Sequence, residues 1–378
     1  MIVQHDISVS GGKDSQAVIC LSIERLHGRG FARPLRYFTA DTGHENPITL
    51  DHIVYLDEFV RRETGQSIVT VSGYDVPGLI DAAAFERQSE VIRTEWPKEK
   101  RIKRHSRSCK NARAAGELTL GCDCPVQHSL PVPDHLIEQA LACLVPTGVA
   151  FLDMAMLHGR FPGAKTRFCT EELKLAPLWF RKEPLMREGA HLVDWLGERA
   201  DESKARAGKK PIQRVRHDFR DEAGEIVGQA TQILYRPIHS LTAREVFEIS
   251  KRHGLKPNPL YLMGAGRVGC SPCIMVKKRE LAQWAMRFPE EVARVRQWEH
   301  IVGQVSRRLV GTGASTSLLA AKTVPGAKTD EFRALIDRAV AWAQTGRGGR
   351  QGDLLVELDR LEFERTGGLC DSAYGLCE

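Results

Sequence analysis

No apolar run in this chain of 378 residues is long enough to cross a bilayer. No basic stretch leads into an apolar core at the N-terminus, so a signal peptide is not expected. These two gaps set the expectation of a cytoplasmic protein with no membrane partner. Charge of one sign does not dominate either. Lys and Arg number 54 against 48 Asp and Glu, a formal net charge of +6, which does not by itself demonstrate nucleic-acid binding. Ten cysteines in a cytosolic chain of this size do not make a disulfide framework. Their clustering, with one C-x-x-C and one C-x-C, points to metal, cluster or redox chemistry. Hydrophobic content of 42% and charged content of 27% are ordinary for a globular protein. The length suffices for one large or two ordinary domains.

What is present begins with Ser8-Val9-Ser10-Gly11-Gly12-Lys13-Asp14-Ser15. It follows a short apolar run (Ile2, Val3, Ile7) and precedes an amphipathic one from Ala17 to Ile23, which reads as strand, tight turn and helix. Paired glycines allow a sharp turn and close approach to a ligand. Free amides at a helix start, with Ser15 and the mobile charge of Lys13, suit an anionic oxygen. A Gly-Gly turn beside a lysine also occurs with no ligand at all. The spacing is not that of the Gly-x4-Gly-Lys-Ser/Thr phosphate loop.

The following segments predict a helix over 16–30, a strand over Leu35–Ala40, a helix over 50–65 and a strand over Ser67–Val71. That alternation argues an α/β fold with a doubly wound, mostly parallel sheet of five or six strands. Asp41-Thr42-Gly43-His44-Glu45-Asn46-Pro47 sits at the C-terminal end of the second strand, the edge where such sheets hold ligands. Order weakens over 75–130, taken as an insertion at about 90–130. A basic run, Arg93 to Arg113, holds nine Lys or Arg residues counted with its ends and only Glu95 and Glu99 as acids. It reads as a solvated loop or as a contact for a phosphate backbone. A strand is expected over 191–196, a polar loop or hairpin over 207–232, and a capping box at Thr242 and Glu245. Beyond residue 280 the chain reads as helical, over 281–310 and 329–345, with a small-residue linker from Gly311 to Lys328. The expected division is therefore 1–280 and a helical part, 281–378.

Ser-Gly-Gly-Lys-Asp-Ser resembles the pyrophosphate loop (PP-loop) of the ATP pyrophosphatases. The Asp-Thr-Gly turn resembles that of the phosphoadenosine phosphosulfate (PAPS) reductase branch. Gly197-Glu198-Arg199-Ala200-Asp201-Glu202-Ser203-Lys204-Ala205-Arg206 resembles its "GxRxxES…R" signature, and Arg236-Pro237-Ile238 its "RPI" entry into a helix. The resemblance covers about residues 1–280 and implies the adenine-nucleotide α-hydrolase (HUP) fold. It implies that Ser8, Ser10, Gly11, Gly12, Lys13, Asp14 and Ser15 hold ATP, with Asp14 helping to position Mg2+. It also places Asp41, Thr42, Gly43, Gly197, Arg199, Glu202, Ser203 and Arg206 around the nucleotide. Arginine suits that task through its planar, bidentate fork.

Cys270 and Cys273 form the C-x-x-C, with Pro272 inside it; redox dithiol, zinc half-site and cluster half-site all remain open readings. The resemblance brings Cys169, which precedes Leu173-Lys174 and Pro177, close to this loop. Three thiolates would then serve a [4Fe–4S] cluster, which normally has four. The fourth position falls to Cys109, Cys122, Cys124, Cys370 or Cys377, or stays open for sulfide. Cys109, Cys122, Cys124 and His128 form a second candidate zinc set.

These features lead to an ATP-dependent sulfurtransferase that converts ATP to AMP and pyrophosphate and modifies nucleic acid, DNA rather than RNA, resembling DNA phosphorothioation and tRNA thiolation proteins. A cysteine desulfurase is the expected sulfur donor and a homodimer a possible assembly. Lys13, Asp14, Cys270 and Cys273 are the candidate catalytic residues. The alternatives are a PAPS or adenosine phosphosulfate reductase using thioredoxin, and a non-catalytic nucleotide- or nucleic-acid-binding component.

Overall fold

The structure, a computed structural model, describes residues 3–27, 35–103, 126–164, 166–311, 316–319, 335–346, 352, 354–366, 374 and 376. Cys109, Cys122, Cys124, Cys370 and Cys377, the second half of the basic run (104–113) and most of the 311–328 linker lie outside the described residues.

The strands are β1 (Val3–Val9), β2 (Leu35–Asp41), β3 (Ile68–Ser72), a separate antiparallel pair β4 (Lys100–Lys103) and β5 (Val126–Ser129), then β6 (His191–Trp195), β7 (Ile212–Arg220) and β8 (Ile226–Tyr235). Six of them form one sheet in the order β3-β2-β1-β6-β8-β7. All neighbours are parallel except β7, which runs antiparallel to β8 at the edge. The expected α/β, mostly parallel sheet is therefore present. The polar stretch 207–232 is a hairpin with one-sided burial, because β7 is an edge strand with a single packed face.

Helices cover both faces. On one side, α1 (Lys13–His27), α2 (Pro47–Thr64) and α7 (Ala243–Arg252) bury Ala17, Ile19, Leu56, Phe59, Val246 and Ile249 against Ile7 and Tyr37. The side chain of Asn46 caps α2, and Gly65 ends it at φ +70. On the other side, α6 (Ala176–Arg187) sets Met186 against Leu192, Phe219 and Ala230.

A larger core lies beside the sheet. There α3 (Ala82–Glu95), α4 (Asp134–Cys143) and α5 (Ala150–His158) pack with α8 (Lys278–Arg287), α9 (Pro289–Gln304) and α10 (Ile336–Ala343) around Ile92, Phe151, Leu173, Leu281, Val295, Trp298 and Ile336. The C-terminal helices thus share a core with residues 80–173. The single helix expected over 281–310 is two helices. Pro289 opens α9 and cannot donate to the ladder of α8, so the chain turns at Phe288. Helix α5 had no amphipathic signal, because Ala150 to Met156 are buried all round. A last helix, α11 (Leu354–Thr366), closes the described chain. Among the described residues no helix is long and apolar enough to cross a membrane.

Candidate nucleotide and thiol site

Loops leaving the C-terminal ends of β1, β2, β6 and β8 meet where the strand order reverses between β1 and β6, the crevice where open α/β sheets bind ligands. The loop after β1 is locked internally. The Ser10 amide donates to Ser15 Oγ at 3.1 Å, and Ser15 Oγ donates to the Gly12 carbonyl at 2.9 Å. Gly11 has φ +66, and a Cβ there would stand 2.7 Å from Thr49 Cγ2. Gly197 also presses closely: its Cβ would lie 3.1 Å from Asp14 C and Ser15 N. Lys13 is buried, with Nζ 3.1 Å from Asp14. Arg199 reaches Asp14 at 2.5 Å and also pairs with Asp201. Asp14, expected beside Mg2+, is thus held between two cations. Ser8 lies within β1, opposite Phe38, and not in the turn.

The loop after β2 has two roles. Asp41 Oδ1 accepts the Gly43 amide at 2.7 Å, and Gly43 sits at φ +71 with Val149 against it. Buried Thr42 gives its amide and hydroxyl to Glu45. The same loop then clasps the cysteine loop: Ser271 N donates to His44 O at 2.8 Å, Asn46 N to Gly269 O at 3.1 Å, and His44 Nε2 to Pro272 O at 3.0 Å. His44 is fully enclosed, stacked on Phe151, and burial pushes its pKa down to about 3, so it is a neutral donor.

The cysteine loop packs in turn on the nucleotide loop. The Lys13 amide donates to the Tyr261 hydroxyl at 3.1 Å, Asn258 Nδ2 to the Gly11 carbonyl at 3.0 Å, and a Cβ on Gly12 would be 3.3 Å from Val268. Cys169, Cys270 and Cys273 are free thiols; Cys273 acts electrostatically on Cys169 and Cys270, and Cys169 on Cys270. Burial pushes the Cys270 thiol up to about 11, while the Lys174 ammonium opposes that rise. Lys174 Nζ lies 3.6 Å from Cys270 Sγ and 3.5 Å from Glu45 Oε1. Burial works against the lysine's charge, yet Cys270 and Glu45 hold its pKa above the ordinary lysine value. Lys174 sits in a π-turn, Glu171–Leu175, a distortion frequent at functional sites. A cavity of about 90 Å³, lined by Cys270, Cys273, Met263, Val268, Trp284 and Phe288 among others, opens beside this loop. No group of three or more His, Cys, Asp or Glu among the described residues is arranged to hold a metal ion. His128 lies in β5, opposite Arg101; its side chain is outside the described set, as are its three cysteine partners.

In the loop after β6, Glu202 accepts the Arg199 amide at 3.2 Å and pairs with Arg206, while Ser203 caps the one-turn helix Lys204–Ala207 by accepting Arg206 N. Arg199 therefore faces the nucleotide loop, whereas Arg206 is tied to Glu202. Sequence reasoning missed Glu45, Lys174, His44 and Tyr261 as site residues. His44, Glu45 and Lys174 stand inside segments already singled out, so their signal was position, not residue type. It also missed Tyr374, whose hydroxyl donates to Gly266 O at 2.6 Å and whose ring lies against Tyr261 and beneath Lys13 Nζ.

The phosphoadenosine phosphosulfate reductase domain matches residues 171–276, from the π-turn to the cysteine loop. A second protein, the uncharacterized 37.8 kDa protein in the gpa 5' region of Escherichia phage 186, is 34% identical over 377 residues, 98% of this chain and 96% of that one. The chain belongs to the phosphoadenosine phosphosulfate reductase family. Family membership makes it a nucleotide-utilising protein of sulfur chemistry. The pyrophosphate loop lies N-terminal to the matched segment, but the Tyr261 and Gly197 contacts join it to both ends of that segment.

Proposed function

We propose that this chain is an ATP-dependent sulfur-transfer enzyme acting on nucleic acid, with the DNA backbone as substrate in the manner of phosphorothioation. The observation that carries the reading is the shared wall between nucleotide loop and thiol loop, Lys13 N on Tyr261 and Gly12 on Val268. A substrate activated at the first loop then sits beside the thiols. The first turn of α1, with the Lys13 ammonium and the Ser15 hydroxyl, would hold the ATP phosphates, and Asp14 would help to position a Mg2+ that shields their charge. A substrate oxygen attacks the α-phosphorus and pyrophosphate leaves. The outer sulfur of a persulfide delivered by a desulfurase partner then displaces AMP, and a second thiol attacks the resulting substrate–carrier disulfide, leaving sulfur on the substrate and a carrier–thiol disulfide that an external thiol reductant must reopen.

The donor chemistry around Cys270 supports an iron–sulfur cluster, because Cys169 and Cys273 lie close enough to act on the Cys270 thiol and Lys174 supplies the positive charge that a thiolate set needs, although the described residues are not arranged as a ready metal site. Cys169, Cys270 and Cys273 would hold it. Such a cluster supplies an iron centre able to carry sulfide. Zinc is the competing occupant.

The test is AMP and pyrophosphate release from ATP by anaerobically purified protein given duplex DNA and a persulfide donor, with sulfur incorporation followed by mass spectrometry. Iron and acid-labile sulfide are measured on the same sample. Release that depends on DNA and vanishes in Lys13→Ala supports the reading; no AMP under any substrate overturns it. Metal content that survives Cys270→Ser overturns the ligand assignment.

One observation favours a reductase of PAPS or adenosine phosphosulfate instead. Tyr374 lies against the nucleotide loop, and Cys370 and Cys377 are its near neighbours in sequence. Truncation before Cys370 abolishes thioredoxin-dependent sulfite release if this second reading is right, and spares sulfur transfer if it is wrong.

A further inference from the structure

The basic run between Arg93 and Arg113 is not the only positive feature. Edge strand β7 alternates cleanly. His217 turns toward α6, 4.9 Å from the Trp179 ring centroid and bonded to Gln232, and Phe219 is buried with Met186 and Leu192. The opposite face carries Ile212, Arg214, Arg216, Asp218 and Arg220, all exposed, with the one carboxylate, Asp218, accepting a hydrogen bond from Gln229. Lys204 and Lys210, just before the strand, are exposed as well. Lys204, Lys210, Arg214 and Arg216 have no carboxylate partner among the described residues, in contrast to Arg206 with Glu202 and Lys209 with Glu198. Successive same-face residues on a strand stand roughly 7 Å apart, so Arg214 and Arg216 line the edge as a stripe and not a point, with Lys210 two residues before the strand and Lys204 in the one-turn helix that precedes it.

The stripe is anchored to the nucleotide site. Arg236 donates its amide to the Pro211 carbonyl and Nη1 to the Lys210 carbonyl, and its Nε pairs with Glu198. Glu198 adjoins Gly197, the residue packed on Ser15 N. The start of β7 is therefore fixed beside the loop that would bind ATP phosphates.

We infer that this stripe, from Lys204 and Lys210 along Arg214 and Arg216, is the surface that takes the phosphodiester backbone of duplex DNA and leads it to the nucleotide loop. The inference rests on the nucleic-acid reading above and says where on the molecule it acts. Unpaired cations on a straight edge neutralise phosphates without reading bases. The face offers no exposed aromatic ring, the usual platform for single strands and for RNA loops, since His217 and Phe219 point away from it. Duplex DNA is therefore the partner that fits.

The experiment uses the full chain, a short labelled DNA duplex and a matched RNA duplex, with affinity measured across a salt series. The variants are Arg214→Gln/Arg216→Gln and, as a control away from the stripe, Arg296→Gln, which pairs with Asp337 on the helical side. All three side chains are exposed, and thermal unfolding confirms folding. Two lost phosphate contacts lower the log–log salt slope by about 1.8, so a fourfold rise in salt narrows the gap between wild type and double variant by about tenfold. That shift, with the control unchanged, is the expected result. Wild type that binds DNA with a double variant of the same slope overturns the surface, leaving the stripe as protection of the sheet edge against pairing. Tighter binding to the RNA duplex overturns the choice of DNA. Wild type that binds neither duplex at low salt overturns the nucleic-acid reading itself, and AMP release without DNA then separates that failure from loss of the nucleotide site.

Discussion

The backbone amide of Lys13 donates to the phenolic oxygen of Tyr261 at 3.1 Å, across 248 positions of sequence. That amide is one of the first-turn donors that a helix leaves unpaired, and it is the group expected to meet an ATP phosphate. Without nucleotide, the tyrosine occupies it. Tyr261→Phe keeps the ring against Phe247 and Tyr374 but leaves a buried donor without an acceptor, a cost of about 1–3 kcal/mol. The variant should unfold at lower temperature without ligand, and saturating ATP should restore most of the difference by supplying a phosphate oxygen. Thermal unfolding with and without ATP checks this; a deficit unchanged by ATP would show that the amide does not face the phosphate.

Much of this architecture was legible from the chain. The glycine turn, the Asp-Thr-Gly turn and the strand before Gly197 each read correctly because they are local features. A turn needs its glycines, as Gly11 at φ +66 does, and a buried parallel strand needs a short apolar run. The capping box at Thr242 and Glu245 is present for the same reason. What was not legible is nonlocal. Helix α5 has no polar face to give it a period, and the embrace of the cysteine loop by His44, Glu45 and Asn46 depends on two segments more than two hundred residues apart. Lys174 reads as an ordinary helical lysine until the π-turn swings it to Cys270.

Gly197 tests how tightly the second signature is pressed on the first. Its missing side chain lets backbone meet backbone, since a methyl group would stand 3.1 Å from Asp14 C and Ser15 N. Neither neighbour is a flexible side-chain end, so Gly197→Ala must shift the nucleotide loop. We expect a loss of about 1–3 kcal/mol in stability and weaker ATP binding by isothermal titration. Gly65→Ala is the contrast. Nothing lies within 4 Å of it, yet φ is +70, so it should cost roughly 1–2 kcal/mol through backbone strain and leave ATP affinity alone. Equal ATP affinity in both variants would sink the argument.

Lys174 is the only cation that any hydrogen bond among the described residues brings to Cys270. Burial holds the Cys270 thiol near 11, and Lys174 limits that rise. In Lys174→Gln the thiol loses its cation while Glu45 keeps its charge nearby, so its pKa climbs further. Thiolate is the reactive form, and its fraction falls about tenfold per unit of pKa. Metal-free protein treated with iodoacetamide under alkaline conditions should therefore alkylate Cys270 several-fold more slowly in the variant, with Cys143 as an internal reference in the same peptide digest. An unchanged Cys270 rate would mean that the lysine does not govern the thiol.

Far from the nucleotide, Glu299 on α9 ties two approaching strands of chain together, accepting Leu318 N at 2.9 Å and Ile336 N at 2.8 Å. Burial raises its pKa from 4.5 to about 8, opposed by those two amides; Asp337 adds to the rise and Arg296 lessens it. A folded-state pKa above the unfolded one means that the folded protein holds the proton more tightly. The stabilisation is complete below about pH 4.5 and is lost as pH rises through 8, with a limiting slope of ~1.4 kcal/mol per pH unit. Glu299→Gln cannot ionise, so this slope should disappear from urea unfolding measured between pH 5 and 8. The variant should also carry a separate, pH-independent loss, because one amide oxygen replaces two carboxylate oxygens and one of the two backbone donors is left without its partner. The two effects are separable on one plot of unfolding free energy against pH, the first as a change of slope and the second as an offset. Parallel curves for wild type and variant would mean that Glu299 is already ionised in the folded protein throughout this range.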